Sequence, residues 1–278
     1  MRLKAFLGIF YLVSAISAGR AETNKAAWSV LTDAALQAQN PDHRREAVAA
    51  IAAIGPDPQA VQTVVRVLQT DKDPMVRQAA ASALGEMKAV DAVPALKNAL
   101  NEQSDEVAFA AAKALWDMGD PSGKDTFVEI LTRERKDSQG LMGSKMSEAK
   151  RTMRDPKKLA YLGAKEASGA FLGPASMGIS IVHDAMKDGG ASGRAIAADY
   201  MSKDCDARSI QLLEWSLKED GNWLVKAAAA RGLGKCGDTQ AIPMLESYLD
   251  NSHEPLKYQA AAAIVRLSAR GETAAASR

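Results

Sequence analysis

Apolar residues recur along this chain in a pattern that repeats about every 31 residues. The clearest example compares residues 187–218 with residues 219–250, in which the same positions recur 32 residues apart. The matching pairs are Ile210 with Ile242, Leu213 with Leu245, Leu217 with Leu249, and also Glu214 with Glu246. Their spacing places the apolar side chains of each set on one face of a helix. Self-similarity at this period predicts an array of stacked helical units instead of one closed core.

Six units of this kind can be drawn between residues 41 and 270. The first helix of each has an apolar residue, called the anchor below, then a second apolar residue three positions later and usually a glycine. The anchors are Ile51, Leu84, Leu115, Met201, Leu233 and Ile264. The Met201 unit has the weakest pattern, because Asp204 stands where the second apolar residue belongs. Alternating β-branched runs are absent from the sequence, so the pattern predicts an all-α fold, an α-solenoid of about six helix-pair repeats with a helical insertion.

Polar and proline residues mark where these helices begin. Pro94 and Pro243 occupy one column near the start of a second helix, where a missing N–H costs nothing. Three aspartates share the turn just before a second helix, which predicts that they cap it; they are Asp120, Asp206 and Asp238. The pair Asp73-Pro74 opens a first helix in the same way. Pairs of alanines along the first helices predict close contact between neighbouring helices.

The chain resembles HEAT repeats of the short, phycobilisome-lyase-like type. The resemblance rests on runs such as DPMVRQAAASALGEM at 73–87 and NWLVKAAAARGLGKCGDTQAIPMLESYL at 222–249, and it covers most of residues 41–134 and 191–270. Tetratricopeptide and ankyrin repeats would show other marker residues, which this sequence lacks. The family implies helix pairs stacked into a curved superhelix whose faces bind other proteins.

The period stops near residue 134 and resumes near residue 191. We therefore divide the chain into a signal peptide, a cap helix with repeats 1–3, an insertion, repeats 4–6 and a disordered tail. Their ranges are 1–21, 22–134, 135–190, 191–270 and 271–278. Within residues 22–134, the cap helix is expected at 22–40, where it would cover the first unit.

The insertion consists of two unlike pieces. Residues 133–158 carry nine positive charges against four negative ones, and residues 159–182 are apolar and rich in glycine. One interpretation is a helical hairpin that packs against the array with its basic side in water. The other is a basic, Gly-rich apolar segment that lies on an anionic membrane surface. The uncharged run at 167–182 is shorter than the ~20 residues of a membrane-spanning helix.

The N-terminus has the pattern of a secretory signal peptide. Arg2 and Lys4 precede an apolar stretch over residues 5–18, and Gly19-Arg20-Ala21 resembles a small-x-small cleavage site. We predict cleavage after Ala21 and export to the periplasm or the extracellular space; a retained membrane anchor is the alternative. Removal of three positive charges changes the formal charge from +1 to −2. This near neutrality argues against nucleic acid as a partner.

Two cysteines, Cys205 and Cys236, occur in equivalent turns of adjacent units. An even count in an exported chain permits a disulfide between them. The apolar column around Cys236 equally suits a small buried thiol. Equivalent positions in stacked repeats also tend to exceed the ~7 Å Cα separation that a bridge tolerates. Both interpretations stay open at this point.

The residues that metal catalysis would need are missing. A relative of this repeat class, deoxyhypusine hydroxylase, takes its di-iron ligands from several His-Glu pairs in successive first helices. This chain has three histidines and one such pair, His253-Glu254. The positions where the enzyme's pairs would fall are Arg45-Glu46, Val76-Arg77, Val225-Lys226 and Tyr258-Gln259. We therefore predict no metal, no cofactor and no catalytic residue.

Recognition residues are sought in the insertion and among the tryptophans. The residues selected for interaction are Lys150, Arg151, Arg154, Lys157, Lys158, Phe171, Trp215 and Trp223. Tryptophan often anchors protein interfaces. The competing interpretation is that Trp116, Trp215 and Trp223 fill gaps in the core, since large aromatic side chains usually bury most of their area.

The sequence thus favours a non-enzymatic HEAT-repeat scaffold that mediates protein–protein interaction in the cell envelope. Its expected partner is another protein or protein complex, with a weak membrane-surface contact as an addition. One alternative is a membrane-surface adaptor that uses residues 145–182. The other is a repeat-based lyase or metal-dependent hydroxylase.

Overall fold

The structure, a computed structural model, describes the backbone of residues 2–132 and 191–276, and the side chains of residues 19–128 and 194–273. Over these residues the chain forms α-helices and short 3₁₀ turns without a β-strand, which confirms the all-α repeat fold. The helices are α1 Arg2–Gln37, α2 Pro41–Ala52, α3 Pro58–Thr70, α4 Pro74–Glu86, α5 Val93–Ala99, α6 Asp105–Asp117, α7 Pro121–Thr132, α8 Ala191–Asp204, α9 Ala207–Glu219, α10 Trp223–Cys236, α11 Ile242–Glu246 and α12 Glu254–Ala276. The predicted insertion at 135–190 lies outside the described residues, and α8 begins directly after it at Ala191.

The helices pair as the sequence predicts. The first and second helices of repeats 1–5 are α2 with α3, α4 with α5, α6 with α7, α8 with α9, and α10 with α11; α12 is the first helix of repeat 6. The chain divides into two compact stacks. The N-terminal stack spans residues 34–188, and the C-terminal stack combines residues 1–33 with 189–278. The helix predicted within residues 22–40 is the end of α1, and Thr23 in it donates a hydrogen bond to Glu246 at 3.0 Å.

Aspartate side chains start several of the helices. Asp73 accepts a hydrogen bond from the Met75 amide at 2.8 Å, which caps α4 immediately before Pro74. Two predicted caps are confirmed, because Asp120 and Asp206 accept from the amides of Ser122 and Ser209 at the starts of α7 and α9. Asp238 accepts from the Gln240 amide, so it caps the 3₁₀ turn Thr239–Ala241 that precedes α11 and not α11 itself. Each contact satisfies a helix N–H that has no carbonyl partner within its own helix.

The turn after each first helix explains the recurring glycine. Gly55 and Gly119, each four residues after an anchor, have φ angles of 98° and 80°. This left-handed conformation costs glycine little, because glycine has no Cβ. Lys88 and Cys205 occupy the same position in repeats 2 and 4 with φ angles of 50° and 55°. The turn geometry is therefore kept even where the glycine is replaced.

First helices of adjacent repeats touch through small residues. A Cβ placed on Gly85, one position after its anchor, would lie 2.8 Å from the Cβ of Ala114 on α6. A Cβ on Gly234, at the same position of repeat 5, would lie 2.9 Å from both the Cα and the Cβ of Ala263 on α12. Real Cβ atoms do not approach a backbone so closely, so this position must be small wherever another first helix stacks against it. The neighbouring anchors are buried completely at Leu84, Leu115, Leu233 and Ile264.

Candidate protein-docking surface

The last described repeat of the N-terminal stack carries an aromatic surface. Trp116 stands one position after the anchor Leu115, where Gly85 and Gly234 stand in repeats that are covered by a further first helix. Trp116 is 51% exposed, and Phe109, two helical turns earlier on the same face of α6, is 40% exposed. A side chain of this size is compatible with the position because no described first helix of the N-terminal stack packs against this face of α6.

Helix α7 adds to this surface. The Phe127 ring meets Phe109 edge to face at 5.4 Å between centroids and meets Trp116 at 5.9 Å. These arrangements match the preferred geometry of aromatic pairs and hold the three rings in fixed positions. Val128 beside Phe127 is also exposed. We call Phe109, Trp116, Phe127 and Val128 the end-face cluster.

Sequence reasoning misses most of this cluster. The interpretation that Trp116 fills a gap in the core is wrong, because half of its side chain is exposed. Phe109 and Phe127 are not among the residues that the sequence selects for recognition. A signal is nevertheless present, since the tryptophan stands at a position that holds glycine in repeats 2 and 5, where a further first helix packs against it.

The other selected tryptophans lie in the C-terminal stack in different settings. Trp215 on α9 is 60% exposed, one turn from the exposed Leu212, so core packing is also wrong for it. Trp223 at the start of α10 is partly buried and stacks on His253 at 5.6 Å with a 16° angle between the rings. The selected residues of the insertion, Lys150, Arg151, Arg154, Lys157, Lys158 and Phe171, lie outside the described part of the chain.

Cys205 and Cys236 form a disulfide in the structure, with Cα atoms 4.9 Å apart. The expectation that the two Cα atoms lie too far apart for a disulfide is therefore wrong. The reason is local: Cys205 lies in the left-handed turn that follows α8, while Cys236 is the last residue of α10. The one-position offset between the two repeats brings the side chains together and joins repeat 4 to repeat 5 covalently.

Arginines seven positions before the anchors hold the two helices of repeats 1, 2 and 4 together, and sequence reasoning misses them. Arg44 donates to Asp71 at 2.6 Å and Arg77 donates to Glu102 at 3.0 Å, in each case from the first helix to the end of the second. Arg194 binds Asp220 in the same way at 2.8 Å. That hydrogen bond lowers the pKa of the buried Asp220 carboxyl below its ordinary value, more than burial raises it. These pairs are structural contacts, not a reactive site.

Within the described residues, no group of three or more His, Cys, Asp or Glu side chains is placed to hold a metal ion. His253 stacks on Trp223, and Glu254 accepts a hydrogen bond from Lys257 at 2.9 Å. The described helices also include none with the length and apolar character needed to cross a membrane.

Comparisons with known proteins agree with the repeat pattern. A family model described as HEAT repeats matches residues 29–116, 81–141 and 178–276. No curated protein sequence matches the chain. Among solved structures, human deoxyhypusine hydroxylase in complex with glycerol is similar at 16% identity over 90% of this chain and 99% of that chain, with a TM-score of 0.35.

Proposed function

Because this chain belongs to the HEAT-repeat family, we propose that it is an exported, non-enzymatic scaffold that binds another protein of the cell envelope through the end-face cluster. The observation that carries the proposal is the exposure of Trp116 and Phe109 beside Phe127 on one rigid face. Water-exposed aromatic clusters of this kind are uncommon on monomers and are typical of interfaces.

The end-face cluster is exposed to water, and its rings restrict one another. Three packed rings have little rotamer freedom left, so a partner that covers them loses little conformational entropy on binding. The repeats behind them keep α6 and α7 in place through the buried anchor Leu115. Pre-organised aromatic anchors are the residues that dominate binding energy in many interfaces.

Affinity capture from the native envelope tests this proposal. We expect the double variant F109A/W116A to retain a specific partner at least about tenfold less than the wild type, because each truncated anchor removes about 2 kcal/mol of binding energy. The matched control is V90A, which removes exposed apolar surface from the same stack but away from the cluster. Partner retention is measured by quantitative mass spectrometry, after circular dichroism has shown equal helicity for all variants.

Two outcomes would contradict this assignment. Equal retention by wild type and F109A/W116A would show that the cluster binds nothing in the envelope. Loss of retention in W215A but not in F109A/W116A would place the interface on α9 of the C-terminal stack, where Trp215 and Leu212 are exposed.

A further inference from the structure

The first helices of the C-terminal stack carry a stripe of positive charge. Helix α10 packs between α8 and α12, and the residue two positions after the anchor is basic on all three. Positions one helical turn away add two further arginines on the same faces. The members of this basic stripe are Lys203 on α8, Arg231 and Lys235 on α10, and Arg266 and Arg270 on α12.

These cations lie close enough to repel one another. Burial of Lys235 is the main cause that lowers the pKa of its ammonium. The charges of Arg231, Arg266 and Lys203 lower that pKa further, and the Asp199 carboxylate opposes them. Burial and the neighbouring Arg270 also lower the pKa of Arg266. Like charges held together on a folded surface oppose folding, and an anion that binds between them relieves that repulsion.

One carboxylate already lies in the stripe and shows which chemistry fits it. Asp199 on α8 accepts hydrogen bonds from Arg231 on α10 at 2.6 and 2.8 Å, so that both carboxylate oxygens are engaged by one guanidinium nitrogen. Both side chains are largely covered. Lys235, one turn further along α10, forms no hydrogen bond or ion pair with any residue that the structure describes.

The stripe is a property of this stack and not of the repeat. In the N-terminal stack the position two residues after the anchor holds Ala53, Glu86 and Asp117. A basic residue at this position is therefore not required for stacking. The same fold shows a basic surface in one stack and none at the equivalent positions of the other.

We propose that the basic stripe binds an acidic segment of the partner protein, an inference that rests on the proposed function. The segment would lie across α8, α10 and α12, with its carboxylates between Lys235 and Arg266 as the Asp199 carboxylate lies on Arg231. Charge-assisted hydrogen bonds of this type combine affinity with a fixed register. The end-face cluster and the stripe would then be two separate contact regions for one partner.

Charge and burial favour an acidic peptide over two other occupants, the basic segment 133–158 of this chain and a lipid surface. Residues 133–158 of the chain are basic, with nine positive charges against four negative ones, so their charge does not complement that of the stripe. A flat lipid surface contacts protruding cations best, whereas Arg231, Lys235 and Arg266 are each partly buried. An extended acidic peptide can bring its carboxylates to such partly buried cations.

Fluorescence polarisation with a labelled ten-residue polyglutamate peptide tests the inference. We expect the wild type to bind the peptide with an affinity that falls as salt rises, and K235E/R266E to bind at least about tenfold more weakly. The matched control is R208E/K218E, which makes the same change of net charge on exposed positions of α9 and should bind like the wild type. The neutral variant K235Q/R266Q should bind weakly too.

The assay is decisive in both directions. Equal binding by wild type and K235E/R266E overturns the proposal. The proposal is also overturned if the wild type does not bind the peptide but binds phosphatidylglycerol vesicles, and K235E/R266E loses that vesicle binding. Polyglutamate binding requires neither Phe109 nor Trp116. A negative result with the peptide therefore does not affect the capture test of the end-face cluster. A negative capture test likewise does not affect the peptide-binding result.

Discussion

Replacing Gly234 with leucine is expected to lower the free energy of unfolding by about 3 kcal/mol, a large effect for a single substitution. A Cβ at this position would already lie 2.9 Å from the Cα and the Cβ of Ala263. The obstacle is partly backbone, which cannot rotate away as a side chain can, so α10 and α12 must move apart. Their separation would expose the completely buried anchors Leu233 and Ile264.

Urea unfolding followed by circular dichroism measures this effect. The matched control is Gly221→Leu, which introduces the same side chain in the same stack at a glycine whose added Cβ would meet no atom within 4 Å. That variant should change the stability by no more than about 0.5 kcal/mol. Gly85→Leu should behave like Gly234→Leu, because the Ala114 Cβ lies 2.8 Å from its added Cβ. If G234L unfolded at the same urea concentration as G221L, the claim that first helices are in direct backbone contact at Gly234 would be wrong.

Removing the disulfide with C205S/C236S should cost about 3 to 4 kcal/mol of stability. The magnitude follows from the 31-residue separation of the two cysteines, since a cross-link of that length restricts the unfolded chain strongly. The bridge also joins the turn after α8 to the end of α10, and repeat 4 has the weakest apolar pattern of the array. A covalent link at this place therefore ties the repeat with the weakest pattern to its neighbour.

Thermal unfolding with and without dithiothreitol measures the effect of the bridge. The reductant should lower the melting temperature of the wild type to that of C205S/C236S and leave the variant unchanged. Alkylation without reductant provides a second readout, in which the wild-type mass should not increase. Two alkylated cysteines in untreated protein would mean that the bridge does not form, and would also weaken the proposal that the chain is exported to an oxidising compartment.

The repeat fold could be predicted because its determinants are local and periodic. Anchors such as Leu84 and Leu115, the caps Asp120 and Asp206, and the prolines of the second helices each act within one helical turn or one repeat. A pattern that recurs in every repeat is seen several times in one sequence, and each occurrence supports the others. The helix pairs could therefore be placed from the sequence alone.

The candidate site was harder to predict because burial at the end of a stack depends on whether a further helix covers it. Trp116 would be buried if another first helix covered α6, and it is exposed because none of the described helices does so within its stack. The pairing of Cys205 with Cys236 likewise depends on the left-handed turn at Cys205, which spacing alone does not give. Charged residues that are distant in the sequence but close in the fold, such as Lys235 and Arg266, are recognised as neighbours only when equivalent positions of the repeats are aligned.

The central claim is that the end-face cluster contacts another protein in the envelope. Site-specific photo-cross-linking in intact cells tests it most directly, with p-benzoylphenylalanine placed at position 116 and, as the control, at the exposed position 90 of the same stack. We expect one discrete cross-linked species from position 116 and none from position 90. Absence of any cross-linked protein at position 116, or the same products from both positions, would contradict the account.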